Sequence, residues 1–425
     1  MVSTVPCRHY SGRRWGSKMG FRPFDELISL ARARELVLAA AQPLEASEGV
    51  GLAAAAGRVL ATPVVADRDV PGFDRSAMDG YAMRAADVAD ATPAEPVRLA
   101  LLEAVHAGHL PRGTLGAGSC IQVATGAPLP EGAEAVVKVE DTAREGDAVL
   151  VRVAVERGKH VVPRGEDMRA GDEVLSPGMV LTPARVGVLA ALGLAQALVF
   201  RRPRVMVLPT GTELVPPGRP LEAGQVYDSN APALVPLVQQ AGGVAERTPV
   251  LGDEQGVLEK ALCTAAGSSD IVVVTGGSSV GERDLLAPAM ERLGSIEFHG
   301  VAVKPGKPML CGRLDGALVL GLPGNPTSCL LTAWLFLRPA LRQMARLPPD
   351  LRRCRTATLA AAVRAVQGRD QLMLVRLEGA GDALRATPCY RGSGAIMSMA
   401  LADGVVALPA GAGAGTGEQV EVDLL

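Results

Sequence analysis

Aromatic residues make up only 3% of this 425-residue chain, too few for the stacking platforms that single-stranded nucleic acid requires. An excess of charge of either sign is also missing. The 43 Lys and Arg residues nearly balance 45 Asp and Glu, for a formal charge of −2, so any bound anion must be held by local groups. No apolar run is long enough to span a bilayer; the longest, residues 186–200, is broken by glycine and by Gln196. Cys-x-x-Cys pairs are absent. The seven cysteines (Cys7, Cys120, Cys263, Cys311, Cys329, Cys354, Cys389) are scattered, as expected of reduced core thiols and not of a metal or disulfide framework. The five histidines form no ligand cluster, and His106 and His109 read as a loop pair. Residues 1–20 contain Arg8, Arg13, Arg14 and Lys18 but no apolar segment of a secretory signal, so they read as a disordered extension, with Met19 as an alternative start. Together these features predict a cytoplasmic protein with no nucleic-acid or membrane partner.

What the chain does have is length for more than one core and a clear alternation of patterns. Helical spacing covers residues 24–41 and 52–60. Short alternating strands follow to about residue 162, and a helix is expected over 181–200. From Arg204 onward, strands predicted at 204–209, 248–251, 270–274 and 316–320 alternate with helices at 226–241, 254–266, 285–293 and 327–344. That order implies a parallel sheet with right-handed crossovers. Beyond Pro348-Pro349 the pattern is again all-β, with strands at 356–363, 372–377, 404–408 and 419–422. The division is therefore a disordered 1–20, a helical linker region (21–63 and 163–200), an inserted β domain (64–162), an α/β domain (201–346) and a C-terminal β domain (347–425).

Ligands of such sheets bind beyond the carboxyl ends of the strands. Three glycine turns fall there: Thr210-Gly211, Gly276-Gly277-Ser278 and Pro323-Gly324-Asn325. Their N–H groups and hydroxyls suit an anion, and the last opens a helix. Lys304-Pro305-Gly306-Lys307 supplies two ammonium groups around a rigid turn. Glu213, Asp253 and Asp284 belong to the same strand-end segments. Carboxylates within about 4 Å of phosphate oxygens repel by several kcal/mol, a conflict that a divalent cation removes. Hard oxygen ligands select Mg²⁺. The residues thus point to magnesium-assisted chemistry on a phosphorylated or pyrophosphate-linked small molecule. In the β-rich segment, Asp74 and Asp79 are either turn formers or ligand-facing acids, and residue chemistry does not separate the two readings. Thr125-Gly126 and Arg164-Gly165-Glu166-Asp167 likewise set a donor or an acid beside a glycine turn.

The blocks FDRSAMDGYA, ATGAP, PRGED, PTGTEL, GGSSVGERD, KPGKP and LPGNP occur in this order. The series resembles the molybdenum insertases, the MoeA and gephyrin E-domain family, from about residue 24 to the C-terminus. The resemblance implies a multidomain α/β plus β fold: a helical linker region with an inserted β domain, a central MogA-like α/β domain that binds molybdopterin, and a small C-terminal β barrel. It implies a homodimer whose active site is shared between subunits. The implied reaction inserts molybdenum from molybdate into adenylylated molybdopterin, uses Mg²⁺ and releases AMP. By motif match, Glu213, Asp253 and Asp284 are the acidic, metal-holding set, and Asp79, Lys304 and Lys307 join them in catalysis. Asp79, Thr125 and Asp167 face the partner's pocket. Thr210, Gly211, Gly276, Gly277, Ser278, Pro323, Gly324 and Asn325 hold substrate, as do Arg391 and Ser393 beside Gly392. Two other readings are a molybdopterin adenylyltransferase, which needs neither the inserted nor the C-terminal β domain, and a non-catalytic scaffold of the gephyrin type. The chain departs from its relatives at Thr212, where many have Asp, and at Gly300, where many have a basic residue.

Overall fold

The computed structural model describes residues 27–276, 285–350 and 353–425. The chain divides into two compact units, Gly49–Val199 and the segments on either side of it.

The flanking unit is built on a six-stranded sheet. Strands Val244–Arg247, Arg204–Pro209, Ile271–Thr275 and Ala317–Leu322 lie side by side and parallel. Alternation along them sends Val205, Val207, Ile271, Val273, Leu318 and Leu320 into one core, and Leu208, Val272, Val274 and Val319 into the other. Helices Leu30–Ala40 and Asn230–Gln240 bury their apolar stripes in the first core, and Gln255–Ala266 and Leu286–Leu293 in the second. Burial on both faces explains the continuous Ile271-Val-Val-Val274 run, each side chain contributing about 1.5–3 kcal/mol.

The parallel core of this sheet matches expectation, and four local features differ from it. Two antiparallel strands, Leu310–Leu314 and Ser295–His299, extend one edge. The strand expected at 248–251 lies at Val244–Arg247, because Pro249 has no N–H to give a ladder; only Leu251 bridges to Thr210. The helix expected from 226 begins at Asn230, where the buried Asp228 caps it, accepting from the N–H groups of Asn230 and Ala231 at 3.1 Å each. The helix expected over 327–344 changes to π-helix at Ala333–Leu337, just before Pro339, which cannot donate to a preceding carbonyl.

At the C-terminus, strands Cys354–Leu359, Asp370–Glu378, Arg385–Pro388, Gly404–Leu408 and Gln419–Leu424 form a closed barrel. Closure comes from the pairing of 370–378 with 404–408, over a core that includes Leu359, Val375, Ala386, Val406 and Val422. Val303–Lys304 adds to this barrel, parallel to Asp370-Gln371. Cys120, Cys311 and Cys329 are buried thiols, as expected, whereas Cys354 is exposed and donates to Asp423 at 2.9 Å.

The unit Gly49–Val199 holds a second six-stranded sheet, in which the fully buried strand Gly80–Met83 lies between Ala135–Lys138 and Ser119–Val123. Tyr81 and Met83 face one core and Ala82 the other. A separate core forms around Leu60, Leu181, Leu189 and Val199. There the helix Pro183–Ala191 is shorter than expected: the chain turns at Gly193, φ 77°, and 196–200 is a strand.

Candidate active site

Register decides what meets at the carboxyl edge of the first sheet. Pro209, Thr275 and Leu322 lie in one row, so Thr210, Gly276 and Pro323 leave the sheet together. Thr210 donates to the Thr275 carbonyl from its N–H at 2.9 Å and from its hydroxyl at 3.1 Å. Gly276 N–H donates to the Leu322 carbonyl at 3.2 Å. Any side chain on Gly276 (φ 86°) would put its Cβ 2.6 Å from the Thr210 carbonyl oxygen, so only glycine fits. A Cβ on Gly324 would stand 3.4 Å from Gly276 Cα. Three of the sequence-predicted positions thus form one backbone-lined corner. Gly277, Ser278 and Asp284 lie outside the described residues.

Two carboxylates flank this corner. The Gly211 N–H donates to the Leu251 carbonyl at 3.2 Å, which ties the loop carrying Glu213 to the loop carrying Asp253. The Glu213 carboxylate folds over Gly211, 2.8 Å from where a Cβ would be. Asp253 Oδ2 accepts from the Thr212 hydroxyl at 3.2 Å and from its N–H at 3.5 Å. Glu213 is exposed and Asp253 half-buried, and neither has an ion-pair partner among the described residues. Hard carboxylate oxygens on adjoining loops, with no Lys or Arg neutralising them among the described residues, are the donor type that a divalent cation such as Mg²⁺ takes.

The remaining candidates of this unit come from the barrel side and the lysine turn. Lys304 is exposed at the end of the short strand paired with Asp370-Gln371. Gly306, φ 112°, packs so tightly that a Cβ would lie 2.6 Å from Thr332 Cγ2. The carbonyl of half-buried Lys307 accepts from Val301 and Met309 N–H, each at 2.9 Å. Gly300 is buried with φ 101°, a conformation that a basic side chain would strain. Asn325 donates to the Ser393 hydroxyl at 3.0 Å, and Thr327 N–H donates to the Ser393 carbonyl at 3.0 Å. Pro323 is buried and Gly324 exposed, while Arg391 is exposed with its N–H donating to Ser398 Oγ at 2.9 Å. Burial pushes the neighbouring Tyr390 phenol up, offset in part by its hydrogen bond with Ser393.

Sequence reasoning missed Asn230. Its Nδ2 donates to the Gly324 carbonyl at 2.7 Å and so holds the 323–325 turn from the helix beside it. The Asp228-Ser229-Asn230 run at a helix start is an N-cap signature that would have drawn attention to it.

In the unit Gly49–Val199, Asp79 and Thr125 are brought together. Asp79 Oδ1 accepts from Thr125 N–H at 2.7 Å and from its hydroxyl at 3.1 Å. Asp79 is exposed and lines a small cleft with Tyr81, His106 and Gln122. Asp74 takes a different role. Its Oδ1 accepts from Arg164 N–H at 2.7 Å, so it ties two distant segments together. Asp69 is held below the usual carboxylate range by the Ala170 N–H and by Arg164. Asp167 is exposed on the turn that Arg164 opens, its N–H donating to the Val70 carbonyl at 3.0 Å.

Comparison with known proteins covers almost the whole described chain. Residues 28–193 match the model of the MoeA N-terminal region (domains I and II). Residues 206–343 match the probable molybdopterin binding domain, and 356–425 the MoeA C-terminal region (domain IV). The chain is 42% identical over 328 residues to molybdopterin molybdenumtransferase 2 of Mycobacterium tuberculosis, which covers 76% of this chain and 81% of that one. To molybdopterin molybdenumtransferase of Nostoc sp. it is 37% identical, covering 71% and 70%. A crystal structure of the molybdopterin biosynthesis MoeA protein of Pyrococcus horikoshii matches with a TM-score of 0.77 at 30% identity, over 94% of this chain and 100% of that chain.

Proposed function

Since this chain belongs to the MoeA family and is a molybdopterin molybdenumtransferase of molybdenum cofactor biosynthesis, we propose that it transfers molybdenum from molybdate into adenylylated molybdopterin and releases AMP in a Mg²⁺-dependent step. One observation carries the finer reading: Glu213 and Asp253, without an ion-pair partner among the described residues, stand on loops joined to the glycine corner of Thr210, Gly276 and Gly324. Acids beside an anion-binding corner repel its ligand unless a cation lies between them.

In this reading Glu213 and Asp253, with Asp284, would hold Mg²⁺, which supplies charge neutralisation at the pyrophosphate. Thr210 braces this corner through its two bonds to the Thr275 carbonyl, and by motif match Gly277 and Ser278 would supply donors to the substrate phosphate. The 323–325 turn, held by Asn230 and Ser393, orients the same substrate. Lys304 and Lys307 attract molybdate, with Arg391 and Ser393 as further donors. Asp79, Thr125 and Asp167 act on the pocket of a second copy, so the working form is a homodimer. Among the described residues no helix is long and apolar enough to cross a membrane.

The test is AMP release from adenylylated molybdopterin, with and without molybdate and Mg²⁺. Release that needs both, and that Asp284→Ala abolishes while fold and self-association persist, is the expected result. Unchanged turnover in that variant would remove the metal-bridging role. Formation of adenylylated product from molybdopterin and ATP without molybdate would favour an adenylyltransferase. Mixing Asp79→Ala with Asp284→Ala protein should restore part of the activity if the site is shared between copies.

A further inference from the structure

We infer that Thr212 is a positioning residue for the metal-holding carboxylate of Asp253, an inference that rests on the Mg²⁺ reading above. Thr212 lies between Gly211, fixed by its bond to the Leu251 carbonyl, and Glu213, whose carboxylate folds back over Gly211. From there both its hydroxyl and its N–H point at one oxygen, Asp253 Oδ2, from 41 positions away in sequence. A carboxylate on a half-exposed loop otherwise turns freely about its last bond. Two donors on Oδ2 fix that rotation, and they leave Oδ1 available to a cation. Threonine is also neutral, so the loop gains a donor without adding a third negative charge beside Glu213 and Asp253. Outer hydrogen bonds of this kind orient ligating carboxylates and tune their metal affinity.

The hydroxyl is separable from the rest of the residue. Thr212→Val keeps the shape and the backbone N–H but removes the side-chain donor, and Thr212→Ser keeps the donor. Thr212 is exposed, so neither change threatens the fold. Titration calorimetry of the full-length protein with Mn²⁺ as probe, without substrates, reads binding independently of turnover. Thr212→Val is expected to weaken Mn²⁺ binding about 10-fold. Thr212→Ser should bind as the parent does, and the apparent KM for Mg²⁺ should rise in the valine variant with kcat nearly unchanged. Asp253→Asn is the control. If it loses Mn²⁺ while Thr212→Val binds like the parent, the positioning role is overturned and the metal reading stands. If the parent itself binds no Mn²⁺, the metal reading fails and this inference with it.

Discussion

The two ends of the central sheet treat acids in opposite ways. At the amino end, Asp270 accepts two hydrogen bonds of 2.7 Å from Arg201 and a third of 2.7 Å from Arg204 N–H. At the carboxyl end, Glu213 and Asp253 have no cationic partner among the described residues, and Asp253 accepts only from the neutral Thr212. The first arrangement satisfies a largely buried charge and fastens the chain as it enters the sheet. The second leaves charge unmatched at the edge proposed here to receive the ligand. Unmatched acids add little to folding, so the contrast separates positions that hold the structure from positions kept for chemistry.

Substitution at each end should sharpen this contrast. The largest effect is expected from Asp253→Asn: molybdate-dependent AMP release falls by about 100-fold or more, while the melting temperature is unchanged or slightly higher. A parallel loss of stability would place Asp253 with Asp270 instead. Next comes Asp270→Asn, which leaves Arg201 underpaired and should cost about 2–4 kcal/mol in denaturant unfolding, with kcat of the folded fraction preserved. That cost carries its own pH signature. Burial raises the Asp270 pKa, but Arg201 and the Arg204 N–H outweigh it and hold the group below its ordinary value of 3.8. Such a depressed acid contributes stability above its unfolded pKa and loses it as pH falls through the folded one. The parent's advantage over Asp270→Asn should therefore be constant near neutrality and shrink below about pH 4, read from unfolding curves at stepped pH. Lys304→Ala is expected to raise the half-saturating molybdate concentration about 10-fold without lowering stability. An unaltered concentration dependence would argue against contact with molybdate. Asp79→Ala should cost only about 1 kcal/mol or less of stability, since the freed Thr125 N–H is exposed to water. Its turnover should still fall.

The amino acid order displays one of these ends better than the other. Glycine turns after apolar runs revealed Thr210, Gly276 and Gly324, because tight turns and buried strands each leave a local signature. The barrel's all-β character and the inserted β segment were legible for the same reason. Arg201 and Asp270 went unremarked: they are 69 positions apart, and nothing local marks a charge pair that only strand order creates. Asn325 and Ser393, 68 apart, are substrate-binding candidates through resemblance, but their direct contact is visible only in three dimensions. The antiparallel edge strands 295–299 and 310–314 were overlooked since neither stretch is continuously apolar. Pro249 and Pro339 were visible, yet their effect depended on which neighbours needed their missing N–H groups.

Lys304 inherits a property from its position as a rung on the closed barrel. Asp370, across from Val303, begins the strand that seals the cylinder, so loosening the seal also releases the lysine turn. The amide protons of Lys304 and Asp370 should then exchange with deuterium in step with those of the strand 370–378, as one cooperative block. The backbone that carries this cation, hung from a closed cylinder, has little freedom to drift from its post.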